Sequence, residues 1–413
     1  GMSWWSVRRT GAAKPFAAAG IFVAMCAALL AGCGGGGGDG AGGGTTAVVA
    51  ETTGAVAALG EKIFKDRSLS ASGQMSCASC HDPATGHASP FFTSVAFGGP
   101  RLDQPGTRMP PSLRYLRFNT PFFFDEEGTP TGGFDWDGRA ATLADQARSP
   151  FLSANEMANA DVADVIAKVA AAAYAAQFKA LFGADIFADL HAAFDRVLFA
   201  LERYQRESEE FAPFTSKFDY VTAGKAAFSA QEARGLVLFN RADKGNCAAC
   251  HPSTQPPNAP GALFTDFTFD SLGVPRNMGI AANADASYFD MGLCGPGRAD
   301  LAGRGDLCGA FRVPSLRNVG LRHRFFHNGQ FDSLEQVVRF YVRRDTDPQA
   351  WFPADPTTGR PDVYNDLPAQ HRGNVNVAEA PYDRKEGEQP YLDEGEIQDL
   401  VAFLKTLSDG YAP

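Results

Sequence analysis

Six stretches of the chain carry apolar residues at three- and four-residue spacing, and the long segments between them show almost none of that order. Thr53 to Lys65 reads as a short helix running into Asp66-Arg67-Ser68-Leu69-Ser70. Asp161 opens a second helix, with Val162, Val165, Ile166 and Val169 on one stripe and Phe178, Leu181 and Phe182 at its close. A third, from about 184 to 207, spaces Ile186, Leu190, Phe194 and Leu198 by four, and its His191 stands off the stripe as an ordinary helix residue. Ser229 and Glu232 form a capping box for a fourth, with Ala233, Leu236 and Val237 facing inward. Ser333 caps a fifth carrying Leu334, Val337, Val338, Tyr341 and Val342; the last, Leu392 to Leu407, turns Ile397, Leu400, Val401 and Leu404 to one side. Residues 82–135 and 252–332 are irregular, the first rich in Gly, Pro and Phe, with Phe122-Phe123-Phe124 as one cluster. No set of strands emerges. The pattern predicts a mainly α fold with long loops, and loops of that length in a compact domain usually carry function.

A helix in each half is followed by the same pentad: Cys77-Ala78-Ser79-Cys80-His81 and Cys247-Ala248-Ala249-Cys250-His251. CxxCH is the attachment signature of c-type haem. Two thiols three positions apart can each add to one vinyl group of the porphyrin, and the following His is then held under the iron as its fifth ligand. Two CxxC knuckles could instead build one zinc site, but both end in His and the chain carries an export signal. The chain therefore reads as a dihaem cytochrome c. Its two cytochrome c-like domains, 53–220 and 221–413, suggest an internal duplication.

With 413 residues, 45% of them hydrophobic, there is material for two cores. The formal charge of −10 argues against nucleic acid as a partner and suits a basic redox protein. Arg8, Arg9 and Lys14 lead into an apolar run from Phe16 to Leu30, which is a signal peptide rather than a comfortable membrane span. The run ends in Leu30-Ala31-Gly32-Cys33, which resembles a bacterial lipobox with Cys33 as the lipidated residue. An ordinary signal peptide with an incidental Cys is the alternative. Residues 1–33 are thus assigned to the leader and 34–52 to a Gly-rich tether, giving a lipid-anchored periplasmic protein. Gly34 in place of Asp after the lipidated Cys points to the outer membrane, by resemblance to other lipoproteins. Of the remaining cysteines, Cys294 and Cys308 are expected to form a disulfide in an oxidising compartment, with two free thiols as the alternative. Closing a loop of about 15 residues is worth ~3 kcal/mol in the chain-entropy model.

Beyond the two pentads, the chain resembles the bacterial dihaem cytochrome c peroxidase/MauG family over roughly residues 55–410. The resemblance rests on Leu59-Gly60, Phe64, Asp66, Leu69-Ser70, Gly73 and Ser76 leading into the first pentad. It continues through Trp136-Asp137-Gly138-Arg139, Gln146, Pro150, Glu156-Met157, Val313-Pro314-Ser315-Leu316-Arg317-Asn318 and Phe326-His327-Asn328-Gly329. It implies two covalently bound haems c, attached through Cys77, Cys80, Cys247 and Cys250. The N-terminal haem, ligated by His81, would meet peroxide; the C-terminal haem, ligated by His251, would accept or store electrons. Glu156 matches the distal acid, with Gln146 and Pro150 on the same wall, and Trp136 matches the residue between the haems. Tyr341 falls where peroxidases place the Met ligand of the second haem and MauG-like members a Tyr; His323 and Tyr364 are lesser candidates for that ligand. His327 is expected beside the C-terminal haem without ligating it.

Two departures from the family pattern matter. The region Gly98-Gly99-Pro100-Arg101 lacks the distal His of peroxidases that must be opened by reduction, and His87 is only a weak substitute, so the first haem is expected to be open as isolated. Met109, in Arg108-Met109-Pro110-Pro111-Ser112, stands where the family has an Asn that helps bind Ca²⁺ between the haems, which puts calcium in doubt. The resemblance implies reduction of hydrogen peroxide to water with electrons from a small cytochrome or cupredoxin-type donor, with high-valent charge shared between the haems. The first alternative is a MauG-like oxidase of a partner protein, although no Trp or surface aromatic cluster immediately flanks the second pentad. The second is a dihaem electron carrier, which the Gln146-Pro150-Glu156 wall disfavours.

Overall fold

The computed structural model describes residues 45–413, with side chains described from Gly54 onward. The expected leader, lipobox Cys33 and most of the tether lie outside the described residues. The N-terminal half contains α1 (Thr45–Lys65), the single turn α2 (Cys77–Cys80), α3 (Leu143–Leu152), α4 (Val162–Ala171), α5 (Ala175–Phe182) and α6 (Leu190–Glu207). The C-terminal half contains α7 (Lys217–Thr222), α8 (Ala230–Asn240), α9 (Leu334–Arg343) and α10 (Glu394–Lys405). Sheet among the described residues is confined to three two-residue antiparallel hairpins: β1 (Phe97–Gly98) with β2 (Gln104–Pro105), β3 (Phe123–Phe124) with β4 (Pro130–Thr131), and β5 (Phe269–Asp270) with β6 (Phe311–Arg312). Cys294 and Cys308 are disulfide-bonded, closing the loop between β5 and β6. Among the described residues no single helix is long and apolar enough to cross a membrane.

Each half is organised around one close helix crossing. Val56, Leu59 and Ile63 of α1 pack with Phe194, Val197, Leu198 and Leu201 of α6, all of them buried. Full burial of such a side chain contributes about 1.5–3 kcal/mol. At Gly60 a Cβ would stand 2.0 Å from the Ala200 carbonyl oxygen, so glycine lets the two backbones touch. The second half repeats the device with α8 and α10, where a Cβ at Gly235 would stand 2.1 Å from the Asp399 carbonyl oxygen. A glycine on the helix preceding each CxxCH thus presses that helix onto the last long helix of its half. The first core runs from Val56 to Phe211 and the second from Phe218 to Leu407.

Three sequence expectations are corrected here. Helix α1 begins at Thr45, inside the stretch assigned to the tether, because the glycine run ends at Gly44 and nothing after it breaks a helix. The helix expected to run unbroken to Phe182 bends by 108° between α4 and α5. At the joint Ala171 and Ala173 are exposed and only Ala172 meets the core, while Tyr174 donates to Asp66 (2.6 Å) and Phe178 stacks on Phe187. In α8 the buried face is Gly235, Leu238 and Phe239, whereas Ala233 and Val237 are exposed. Pattern reading gives glycine no weight, yet the absent side chain of Gly235 is what brings α10 close.

Gly235→Ala should lower stability by about 1–3 kcal/mol through overpacking. Thermal unfolding followed by circular dichroism would register this as a lower Tm, and an unchanged Tm would show that the crossing tolerates a methyl group.

Candidate active site

Each CxxCH opens onto its own cleft. The first cleft, about 1650 Å³ with its open mouth included, is lined by Cys77, Cys80 and His81 together with Trp136, Gln146, Pro150 and Glu156. The second, about 1560 Å³, is lined by Cys247, Cys250 and His251 with Trp136, His327 and Tyr341. Since the two motifs line different clefts, they do not combine into one zinc site. Among the described residues no group of three or more His, Cys, Asp and Glu is placed to hold a metal ion.

Backbone carbonyls set the state of both histidines. His81 Nδ1 lies 3.0 Å from the Pro111 carbonyl and 3.3 Å from that of His87, so Nδ1 carries the proton and Nε2 the lone pair. Burial pushes the His81 imidazolium down to about 4, which keeps the ring neutral, as a metal ligand must be. His251 Nδ1 donates to the Phe264 carbonyl at 2.8 Å, which selects the same tautomer. Burial raises the thiols of Cys77, Cys80 and Cys247 to about 12. A c-type haem fits both clefts: two thiols on one turn, a following imidazole turned by a carbonyl at its Nδ1, and largely apolar walls. Arg322 also lines the second cleft, and its shielded Nε and Nη2 have no hydrogen-bond partner among the described residues.

The wall facing His81 is built by α3 and the loop after it. Thr142 caps α3 through the Asp145 amide, and Pro150 sits within the helix, where its missing N–H leaves the Gln146 carbonyl without its helical donor. The chain then turns so that the Glu156 amide donates to the Ser153 carbonyl. Hairpin β1–β2 presses on this turn from behind: a Cβ at Gly98 would stand 2.2 Å from the Asn155 carbonyl oxygen and 2.6 Å from that of Glu156. Gly98 and Gly99 therefore back the turn that carries Glu156 rather than contribute a side chain to the cleft. Burial raises the Glu156 carboxyl above its ordinary range, the Ser153 hydroxyl opposes this, and the nearby Asp135 charge adds to it.

Trp136 is held from both halves. Its Nε1 donates to the Met109 carbonyl at 2.7 Å, and its own carbonyl accepts from the Arg312 amide of β6 at 2.9 Å. It lines both clefts, as does Asp290. Beside it Arg108 forks onto Asp290 through Nε (2.6 Å) and Nη2 (2.8 Å), while Nη1 reaches Asp137 at 2.8 Å. Asp137 is fully buried and Asp290 nearly so. Burial alone would lower the Arg108 pKa, but the two carboxylates more than offset it and raise it. The positive charge at this junction is thus that of Arg108, held between two carboxylates. Removing one partner of such a buried set costs about 3–5 kcal/mol.

In the second cleft, Tyr341 projects from α9 with its ring 5.8 Å from Phe326 and 6.0 Å from Tyr382, and burial pushes its hydroxyl well above the usual phenol range. His327 lies flat on Phe311, with centroids 3.5 Å apart, and its Nε2 is 3.6 Å from Asp366. The lesser candidates are elsewhere. His323 stacks on Phe92, Tyr364 donates to Asp345 at 3.0 Å, and neither lines the cleft. His87 is fully buried behind His81, its Nδ1 accepting from Arg114 Nε at 3.1 Å, so it cannot serve as a distal ligand. Residues that pattern reading passed over include Arg108, Asp135 and Arg139 in the first cleft and Arg322 and Tyr382 in the second. Arg139 and Arg108 carried a signal, the first through its place in the Trp136 motif and the second through its place beside Met109.

Two clefts, each with a haem-attachment turn, on a mainly helical scaffold, define a dihaem c-type protein. A family model described as "Di-haem cytochrome c peroxidase" matches residues 54–227. The methylamine utilization protein MauG of Paracoccus denitrificans is 36% identical over 365 residues, covering 86% of this chain and 89% of that protein. Cytochrome c551 peroxidase of Nitrosomonas europaea is 30% identical over 293 residues, covering 68% and 71%. The crystal structure of the diheme peroxidase BthA from Burkholderia thailandensis superposes with a TM-score of 0.79 at 39% identity, covering 86% of each chain. The chain belongs to the di-haem cytochrome c peroxidase and MauG family, and it is a haem peroxidase.

Proposed function

We propose that the first cleft is where hydrogen peroxide is reduced, that Glu156 handles its protons, and that the second cleft receives electrons from a small cytochrome or cupredoxin-type donor. The overall change is H₂O₂ + 2 e⁻ + 2 H⁺ → 2 H₂O. One observation carries this reading: Gln146, Pro150 and Glu156 converge with His81 on one cleft whose inner wall, Trp136, is also a wall of the other. The haems, when bound through Cys77, Cys80, Cys247 and Cys250 over His81 and His251, supply the redox chemistry. Splitting the O–O bond requires a proton to leave the inner oxygen and reach the outer, departing one, and a positioned carboxylate can do both. Its raised pKa places Glu156 nearer neutrality, where it both accepts and returns a proton readily. Gln146 and Pro150 shape the wall beside it. Trp136, fixed at both its indole nitrogen and its carbonyl, stands between the clefts to pass electrons. His327, packed on Phe311 and lining the second cleft, would help hold the second haem without ligating its iron.

Tyr341 is proposed as the second ligand of the C-terminal haem, supported by its place on the cleft that holds His251 and by the positions of His323 and Tyr364 away from it. A phenolate there would lower that haem's potential, where a Met would raise it. The same feature favours the second reading, a MauG-like oxidase of a partner protein. The leader and Cys33 support export and lipid anchoring in the periplasm, at the outer membrane. The Cys294–Cys308 disulfide is of the kind that persists in an oxidising compartment.

Steady-state peroxide turnover with a reduced small c-type cytochrome, on protein as isolated, separates the readings. Fast turnover supports the peroxidase; slow turnover with persistent oxidised haem supports the partner oxidase. Glu156→Gln is expected to slow peroxide cleavage about 10²–10⁴-fold with haem content unchanged. In the unaltered protein the rate should fall as pH drops through the raised Glu156 pKa, because the base is then protonated, and the variant should lose that limb. A raised carboxyl pKa opposes folding once the group is ionised, so Glu156→Gln should not lower stability at neutral pH. Unchanged cleavage would remove Glu156 from the mechanism. Tyr341→Phe should alter the electron paramagnetic resonance signal of the second haem while leaving that of the first intact; an unaltered spectrum would rule out ligation. Cys33→Ser should move the protein from the membrane fraction to the soluble periplasm, and retention in the membrane would contradict the lipid anchor.

A further inference from the structure

Buried cations in this chain are almost always answered by an oxygen. Arg317 forks onto Asp219 at 2.9 and 2.8 Å, and Arg344 onto Asp345 while donating to the carbonyls of Leu272 and Asn376. Arg298 pairs with Asp300 and donates to the Asp137 carbonyl. Arg312, on the same cleft wall as Arg322, donates from Nε to the Asp135 carbonyl at 3.1 Å. Arg322 differs. It follows directly on the short 3₁₀ turn Val319–Leu321, and its side chain lines the second cleft near Leu316 and Val319. Its Nε and Nη2 are shielded from solvent with no acceptor, and no ion pair reaches it from any described carboxylate. Burial alone pushes this guanidinium down to about 10, with no neighbouring charge to oppose it. Guanidinium forks are shaped for carboxylates. Leaving one desolvated and unpaired is a cost that evolved interiors avoid.

We infer that Arg322 pairs with a carboxylate of the cofactor in the second cleft, a haem propionate, and through that pair holds the C-terminal haem at a higher potential than it would have without the guanidinium. This rests on the proposed place of that haem over His251. The physical basis is a single, partly buried positive charge whose Nε and Nη2 are shielded. It neutralises the propionate, and with that neutralisation the ferrous form, which carries one positive charge fewer at the iron, is favoured over the ferric. The neighbouring guanidinium of Arg312 is already engaged by the Asp135 carbonyl, and Arg344 does not line the cleft. Arg322 is therefore a positioning residue that also counters the potential-lowering effect of a Tyr341 phenolate.

The test is spectroelectrochemical titration of the two-haem protein at about pH 8.5, well above the range in which a carboxyl group titrates. Haem content of each variant is counted by mass spectrometry. Arg322→Gln should shift the reduction equilibrium of the C-terminal haem at least about tenfold towards the ferric form, about 59 mV for one electron, leaving the N-terminal haem unmoved. Arg322→Lys keeps the charge and should return most of that shift. A Gln variant with two haems and an unmoved potential would overturn the inference, as would a Lys variant displaced as far as Gln. If Gln prevents stable haem attachment at Cys247 and Cys250 while Lys restores it, the pairing is supported by retention in place of potential. Absence of haem from the second cleft in the unaltered protein would instead defeat the site assignment itself.

Discussion

The ion-paired junction of Arg108 with Asp137 and Asp290 is the constraint on which the rest of the active centre depends. Arg108 comes from the irregular loop after the first CxxCH, Asp137 from the turn that carries Trp136, and Asp290 from the loop between β5 and β6 in the other half. Three segments distant in sequence are thereby tied at one guanidinium. Desolvating these charges is costly, and their fork geometry recovers that cost only in one arrangement. With them fixed, Trp136 can be gripped by the Met109 carbonyl on one side and the Arg312 amide on the other. The two clefts then share a wall rather than merely lying in the same molecule.

The halves use one plan for attachment and different plans for chemistry. In both, a glycine on the preceding helix allows a backbone-to-backbone crossing, and a carbonyl fixes the histidine tautomer from behind. The opposite walls diverge. The His81 cleft is lined by a carboxyl with a raised pKa, an amide and a helix that contains a proline, the set proposed to handle protons. The His251 cleft is lined mostly by apolar and aromatic side chains, with Tyr341 among them. The repeated helix-then-CxxCH arrangement is common to both halves, and the loop sequences differ between them.

The long irregular segments justify their length. Residues 96–113 carry Arg108, Met109 and the Pro111 carbonyl to the first cleft, and the Gly98-Gly99 pair backs the Glu156 turn. The loop between β5 and β6, which also carries the Cys294–Cys308 disulfide, sets Asp290 against Arg108. Such loops hold little periodic hydrophobicity because their order comes from side chain-to-carbonyl bonds made across the molecule.

Local chemistry was written in the chain. The two CxxCH turns, the capping residues Ser229, Ser333 and Asp161, and the stripes of α6 and α10 follow from short-range rules, since each depends on neighbours within a few positions. The convergence of Gln146, Pro150 and Glu156 was legible only because their motif resembles a family; by spacing alone Glu156 is one acid among many. Tertiary structure decided what depends on distant partners. It broke α4 from α5, turned α8 on Gly235, placed His87 behind His81 and away from the distal side, put Arg108 between the clefts and left Arg322 facing one of them. A periodic pattern records which side chains avoid water, but a charge or a glycine reveals its purpose only when the atom that meets it is known.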